Sequence, residues 1–134
     1  MSPASPSPPR AMNDEPPESF KPTTWFAKFG CAFRGVWVGI ASYGAASFAV
    51  HLPVMAAVLA AGVWLGVSWA EWYVLLLCVT VVLAAEMFNS SIEALAGAIT
   101  EEYDPHIRDA LDVASGAVFV TVIGAAIIGV LILL

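Results

Sequence analysis

The sequence predicts an all-α membrane protein with an N-terminal interfacial amphipathic helix followed by three transmembrane helices. Hydrophobic residues make up 60% of the 134 residues and charged residues only 12%, about half of the ~25% charge of a water-soluble domain. No charged residue occurs between Gly35 and Ala70, or from Val113 to the C-terminus. Both stretches are as long as, or longer than, the roughly 20 apolar residues that cross a bilayer as a helix.

The N-terminal segment differs in composition from the rest of the chain. Residues 1–20 are rich in Pro and Ser with scattered charges, and such a segment buries too little apolar surface to offset its ordering entropy. We therefore expect a disordered tail over 1–20 and one membrane domain over 21–134, a length that suits a single domain.

The first element of that domain is predicted to be a short helix at the membrane surface. Thr23 or Thr24 is suited to cap its start. Aromatic residues follow at helical spacing: Trp25, Phe26, Phe29 and Phe33. Together with Lys28 and Arg34, these aromatic rings are typical of an interfacial amphipathic helix. The alternative is that this segment is simply the polar start of the first spanning helix.

Three spans are expected, at 49–68, 72–98 and 112–134. Pro53 would fall in the first turn of the first span, where proline is tolerated. Trp69 and Trp72 in the following turn are suited to the water boundary. Pro105 is expected to end helical structure after the second span, in a polar loop over 100–109.

The few cations predict the orientation of the chain. Lys21, Lys28 and Arg34 precede the first span and Arg108 follows the second, whereas the first loop has none. Cytoplasmic loops carry the excess of Lys and Arg. The N-terminus and the 100–110 loop are therefore expected in the cytoplasm.

Polar residues interrupt the second span near its end. Glu86, Asn89 and Glu93 are three and four positions apart, which places them on one helix face within an arc of about 60°, with the two carboxylates some 10 Å apart along the axis. A charge at mid-bilayer costs on the order of 3 kcal/mol on insertion scales. Two acids on one face therefore predict a polar cleft, in which Glu93 is placed to hold a divalent cation.

Other readings of these residues stay open. Glu93 is also consistent with an ordinary helix-end acid that meets water, and Asn89 with a hydrogen bond between helices. Asp112, at the start of the third span, is close enough to share the cleft with Glu93, and it is also consistent with a solvated loop acid. His51 and His106 are too isolated to predict a metal pair, and His51 is expected to bond a backbone carbonyl or to reach for the interface.

Several function classes are excluded by what the sequence lacks. There is no basic stripe of the kind that nucleic-acid binding needs, and no phosphate-binding loop or protein-kinase signature. Cys31 and Cys78 lie in apolar surroundings and do not form a disulfide framework.

Two longer segments, "AEMFNSSIEALAG" and "EEYDPHIRDALDVASGAV", resemble the prokaryotic diacylglycerol kinase/undecaprenol kinase family. Residues 86–93 match the motif E-x-x-N-(S/T)-(S/A)-(L/I/V)-E in full, and Glu102 and Tyr103 match the E-Y that follows. The motif K-D-x-(A/G)-(A/S)-(A/G)-A-V is matched except at its first residue. The resemblance covers about residues 25–134.

The resemblance implies a trimeric kinase of the bacterial inner membrane that transfers the γ-phosphate of ATP to a lipid alcohol, diacylglycerol or undecaprenol, with Mg²⁺. It implies that Glu86 is the general base beside the lipid hydroxyl and that Glu93 is a metal ligand. It implies that Asn89 lines the same cleft and that Ser115 lies on the lipid side. The positions implied on the nucleotide side are Glu102, Tyr103, Asp104 and Asp112.

The chain departs from the family pattern at three positions. The acid usual in the first helical region, near Tyr43 or Ala45, is absent; Leu111 replaces a lysine and Gly97 an aspartate. The alternative function is therefore a catalytically weak or inactive membrane relative with a structural or binding role, unless Arg34 or Glu101 compensates. A third class is an ion or proton conduit lined by the two acids of the second span.

Overall fold

The structure is a computed structural model that describes residues 24–134. This part of the chain forms four α-helices. They are α1 (Trp25–Val38), α2 (Ala45–Leu65), α3 (Trp69–Ile99) and α4 (Pro105–Leu133), with a π-helical turn over Gly39–Tyr43. The helices α2, α3 and α4 are long and apolar enough to cross a membrane, and no strand occurs between residues 24 and 134. The predicted fold class of an early helix and three spanning helices is confirmed. The predicted tail, residues 1–20, lies outside the described residues.

Helix α1 is capped by a side chain and packs little against the rest of the protein. The Oγ1 atom of Thr24 accepts a hydrogen bond from the N–H of Ala27 at 3.3 Å, as an N-cap threonine should. The ammonium of Lys28 lies 4.6 Å from the centroid of the Trp25 ring, a cation–π distance. No residue of α1 is buried, so its aromatic side chains are free to contact a membrane surface.

Helices α1 and α2 are joined by the π-helical turn without an intervening loop. The turn closes with the N–H of Gly44 donating to the carbonyl of Gly39 at 2.8 Å. A Cβ atom at Gly44 would lie 2.7 Å from that carbonyl oxygen and 2.7 Å from the Phe48 ring. Glycine is therefore required here, and its small size lets Phe48 pack with only 2% of its surface exposed.

The expectation that Pro53 lies in the first turn of its helix is wrong. Helix α2 begins at Ala45 and contains Pro53 in its interior, because the π turn continues directly into helix and no breaking residue intervenes. Proline has no N–H, so the carbonyl of Ala49 lacks its usual donor within the helix.

Helix α2 ends and α3 begins within a three-residue turn. Gly66 adopts the left-handed conformation, with φ 68° and ψ 40°, which only glycine reaches at no steric cost. Ser68 then caps α3: the N–H of Ser68 donates to the carboxylate of Glu71 at 2.6 Å and the N–H of Glu71 donates to the Ser68 hydroxyl at 3.4 Å. This capping box starts α3 before Trp72.

Helix α4 begins at Pro105, before the start at residue 112 that hydropathy predicts. Pro105 is at its first position, and a carboxylate oxygen of Asp104 accepts hydrogen bonds from the N–H groups of His106 and Ile107 at 2.8 and 3.2 Å. Because proline is pre-organised for the first helical position, it starts this helix here as well as ending the previous one. Arg108 and Asp112, assigned from the sequence to a loop or its edge, therefore lie in the first turns of α4.

The core lies between the three long helices and is small. Helix α3 packs chiefly against α4, and α2 contacts both. The buried apolar side chains are Phe48, Leu75, Val82 and Ala114. Many large apolar side chains point outward, including Trp64 at 85% and Leu131 at 75% exposure. Such exposure suits contact with lipid, since lipid chains are as apolar as these side chains.

Candidate functional site

The deeper part of the polar face of α3 is buried among the helices, whereas Glu93 is exposed. Glu86 is 2% exposed, Asn89 8% and Ser90 2%. Glu86, Asn89 and Glu93 line one side of a cleft of about 340 Å³ that we name the deep cleft. Its other lining residues come from α2 and α4: Ser47, His51, Ser115, Val118, Phe119 and Val122. The three polar residues thus line one cleft, as their helical spacing predicts.

The amide of Asn89 links α3 to α4 inside the deep cleft. Its Nδ2 donates to Oε1 of Glu93 at 2.7 Å, and its Oδ1 accepts from the hydroxyl of Ser115 at 3.4 Å. One amide therefore orients both an acid of its own helix and a hydroxyl of the neighbouring one. The second carboxylate oxygen of Glu93 has no hydrogen bond to residues 24–134, so it is uncommitted on this exposed side chain.

His51 contacts the deepest acid of the site. Its Nδ1 lies 2.8 Å from Oε1 of Glu86, although the ring N–H does not point at the oxygen, and Nδ1 has no aligned hydrogen bond to any described residue. Within residues 24–134 His51 makes no hydrogen bond to a backbone carbonyl, so that expectation is wrong; that its side chain reaches for the interface stays a prediction. The signal that identifies it is its position, since an ionisable residue inside a spanning segment is by default functional.

A second cleft, of about 320 Å³, opens beside the turn between α3 and α4, and we name it the loop-side cleft. It is lined by Glu93, Ala96, Gly97, Thr100, Glu102, Tyr103, Asp104, Ile107, Arg108 and Leu111. Glu93 lines both clefts. The N–H of Glu102 donates to the hydroxyl of Thr100 at 2.9 Å, which helps to order this turn. The two clefts thus share one carboxylate residue.

Arg108 is the single Lys or Arg among the described residues that line either cleft. Its Nε lies 3.1 and 3.0 Å from the two carboxylate oxygens of Asp112. Asp112 itself lines neither cleft, so its expected sharing of a cleft with Glu93 is not observed. Arg34 and Glu101, considered above as compensating groups, also line neither.

Two of the departures from the family pattern fall in the same place. Gly97 and Leu111 both line the loop-side cleft. The missing aspartate and the missing lysine would therefore have faced one cavity, so the two losses together leave the net charge of that cavity unchanged.

An apolar groove of about 120 Å³ continues from the deep cleft along α2, α3 and α4. His51 and Val122 line both cavities. The remaining lining residues are Val54, Met55, Val58, Leu75, Cys78, Val79, Val82, Ala125 and Ala126. The lining of the three cavities therefore changes from charged residues, beside the α3–α4 turn, to apolar residues within the membrane span.

The donor chemistry suits a metal ion that is shared with a substrate. Over residues 24–134 no group of three or more His, Cys, Asp or Glu side chains could hold a metal ion. Mg²⁺, however, is usually bound by one or two carboxylates together with phosphate oxygens and water. The uncommitted oxygen of Glu93 fits such a site.

These features define an integral membrane protein with a buried carboxylate where a charged cavity meets an apolar one. Sequence comparison then identifies the family: the model of the family described as prokaryotic diacylglycerol kinase matches residues 30–133, and the chain belongs to that family. Neither the curated proteins nor the solved structures yielded a match to the chain. The resemblance drawn from the motifs is confirmed, and the protein is diacylglycerol kinase-like, in a family of membrane lipid kinases.

Proposed function

We propose that the protein transfers the γ-phosphate of ATP to the hydroxyl group of a membrane lipid alcohol, diacylglycerol or undecaprenol. The observation that carries the proposal is the position of Glu86, which is 2% exposed and lines the deep cleft with Glu93. A lipid hydroxyl reaching this cleft from the apolar side would meet a carboxylate, and a nucleotide would approach from the loop side.

Glu86 acts as the general base in this proposal. Its carboxylate takes the proton of the lipid hydroxyl while the lipid oxygen forms a bond to the γ-phosphorus. The bond between that phosphorus and the β,γ-bridging oxygen breaks, and ADP leaves with the electron pair. Such a transfer depends mainly on positioning and on neutralising the phosphate charge.

Glu93 is the residue that would hold Mg²⁺. Its hydrogen bond from Asn89 orients one carboxylate oxygen and leaves the other for the ion. When bound, Mg²⁺ neutralises phosphate charge as the bonds change. Because Glu93 lines both clefts, it is suited to the point at which the nucleotide phosphates and the lipid hydroxyl meet.

The nucleotide is assigned to the loop-side cleft. The cleft is lined by Glu102, Tyr103 and Asp104, which would contact the base and ribose. The guanidinium of Arg108, which also lines the cleft, would bind the phosphates. Arginine suits this task because it forms paired hydrogen bonds to phosphate. Asp112 acts through Arg108, whose guanidinium it contacts at 3.0 Å.

The lipid is assigned to the deep cleft and the apolar groove. Ser115 lies at the polar end, where its hydroxyl is within reach of the lipid head, and the groove lined by Val54, Val79 and Ala126 would take the start of the apolar chain. This division places the reacting hydroxyl between the two environments.

The orientation that this function needs has the loop-side cleft in the cytoplasm of a bacterium, where ATP is available, and the protein in the inner membrane. A Cβ at Gly39 would lie 3.8 Å from the Met87 side chain, so the turn that follows α1 lies beside the middle of α3, about two turns before Glu93. The proposal requires the cations of α1 and Arg108 to lie on one side, in agreement with the positive-inside rule.

A second candidate function, a catalytically weak or inactive relative with a binding role, is favoured by one observation. Gly97 and Leu111 line the loop-side cleft where the family pattern has an aspartate and a lysine. Loss of one electrostatic donor can reduce a rate by about 10²-fold or more. This candidate predicts no phosphorylated lipid with either alcohol.

A phosphorylation assay separates the two candidates. Membranes containing the full-length protein would be given γ-labelled Mg-ATP and either diacylglycerol or undecaprenol, and labelled lipid would be counted after extraction. We expect turnover with one of the two alcohols and its loss in Glu86→Gln, because an amide cannot take the hydroxyl proton. Absence of product from both lipids would contradict the kinase proposal.

The matched control is Glu71→Gln. This variant makes the same chemical change, Glu to Gln, on the same helix. Glu71, however, belongs to the capping box at the far end of α3 and lines neither cleft. Turnover should persist in this variant. Equal loss in both variants would mean that Glu86 has no special role.

A further inference from the structure

A histidine and a glutamate from different helices meet at the floor of the deep cleft. His51 is the one ionisable residue of α2, and its Nδ1 lies 2.8 Å from Oε1 of Glu86. The side chains are 24% and 2% exposed. A buried Glu86 without a polar partner would be costly, and His51 lies close enough to supply one.

The ring N–H is close to the carboxylate but not aligned with it. The Nδ1 atom is buried and has no aligned hydrogen-bond partner among residues 24–134. Buried polar atoms without partners are uncommon, and hydrogen bonds of catalytic groups often become aligned only when substrate is bound. The Glu86 oxygen at 2.8 Å is the acceptor within hydrogen-bond distance of this N–H.

No other charged group competes for this position. In the deep cleft α4 contributes Ser115, Val118, Phe119 and Val122, and α2 contributes Ser47 besides His51. The remaining titratable residue that lines the cleft is Glu93, two turns along α3, which accepts its hydrogen bond from Asn89. Among the residues that line the deep cleft, His51 is therefore the one ring that can offer an N–H to Glu86.

We propose that His51 is the positioning residue for Glu86: its Nδ1–H binds Oε1 and holds the carboxylate so that Oε2 faces the hydroxyl of the lipid alcohol. This inference rests on the proposed function and adds to it a positioning role for a residue of another helix, α2. It also explains why an ionisable residue occurs in an otherwise apolar α2.

Three substitutions at one position test the proposal. Asn places its side-chain N–H near the position of Nδ1, Gln places it near that of Nε2, and Leu has no donor. His51→Leu and His51→Gln should lower kcat on the order of 100-fold, as loss of one preorganised donor does, with the KM for ATP within about threefold of wild type. His51→Asn should recover most of kcat. Equal kcat values for the Asn and Gln variants would overturn the proposal.

Infrared spectroscopy can test the contact between His51 and Glu86 without a measurement of kinase activity. The difference between each protein and its Glu86→Gln counterpart, full-length and in lipid bilayers, isolates the carboxyl band of Glu86. The band should move in His51→Leu and return towards the wild-type position in His51→Asn. A band that does not move in His51→Leu would overturn the pairing. If wild type has no kinase activity, the proposed function fails, and the infrared result alone decides whether His51 positions Glu86.

Discussion

At the scale of single residues, two side chains on α3 make the connections on which the candidate site depends. Asn89 joins Glu93 to Ser115 through one amide, and Glu93 lines both clefts. A buried amide with both of its ends bonded specifies a single arrangement of its neighbours, because each misplacement would leave a polar atom without a partner. The geometry of Glu93 is therefore determined by α4 as well as by its own helix.

The loop-side cleft offers a gain-of-function prediction. Leu111→Lys would add a cation beside Arg108 in the cavity assigned to ATP. We expect kcat/KM for ATP to increase about 10-fold, since electrostatic stabilisation of phosphate is usually a large part of such catalysis, measured with the lipid phosphorylation assay. Ala110→Lys is the control, because it makes the same change of net charge at an exposed neighbour that lines neither cleft. Similar effects of both variants would contradict the prediction.

At the scale of elements, local capping determines where the helices begin. The capping box of Ser68 and Glu71 starts α3, and Asp104 with Pro105 starts α4. Both starts precede the boundaries expected from hydropathy, because capping depends on hydrogen bonds to backbone N–H groups and not on the apolar character of the turn. The extra turns of α4 carry Arg108 to the loop-side cleft.

The π-helical turn leads to a prediction about stability. Gly44→Ala would place a Cβ 2.7 Å from both the Gly39 carbonyl and the Phe48 ring. Overpacking of this kind costs about 1–3 kcal/mol, so the unfolding temperature in detergent should fall. Gly30→Ala, where a Cβ would meet nothing within 4 Å, is the control and should be unchanged or more stable. An unfolding temperature for Gly44→Ala equal to that of wild type would show that the turn can relax.

At the scale of the whole molecule, most of the apolar surface lies outside a small core. The spanning windows of α2 and α4 are only 11% and 6% buried, so these helices present broad apolar faces to lipid or to further copies of the chain. The trimer implied by the family resemblance stays a prediction. The position of Lys28 and Arg34 on the same side of the membrane as Arg108 likewise stays a prediction.

The orientation can be tested by chemical labelling. In a chain whose Cys31 and Cys78 are replaced by Ala, a single cysteine at Glu101 should react with a membrane-impermeant maleimide only when the cytoplasmic face is opened. A cysteine at Ala70, which is also exposed, should react in intact cells. The opposite pattern would place the loop-side cleft away from cytoplasmic ATP and contradict the proposed function.

The sequence by itself determines the spanning helices and the polar face of α3. Apolar runs of this length are stable as helices in lipid whatever their neighbours are, and residues 86, 89 and 93 share a face because a helix has 3.6 residues per turn. These properties are local, so the amino-acid sequence is sufficient to predict them.

The tertiary structure alone decided which residues from other helices complete the site. His51 reaches Glu86, and Gly97 and Leu111 face one cavity, although each pair is separated in the chain. Such contacts depend on how α2, α3 and α4 are rotated against one another, which the π turn and the interhelical bond of Asn89 influence. No periodicity within one helix contains that information, because the rotation is set by packing between helices.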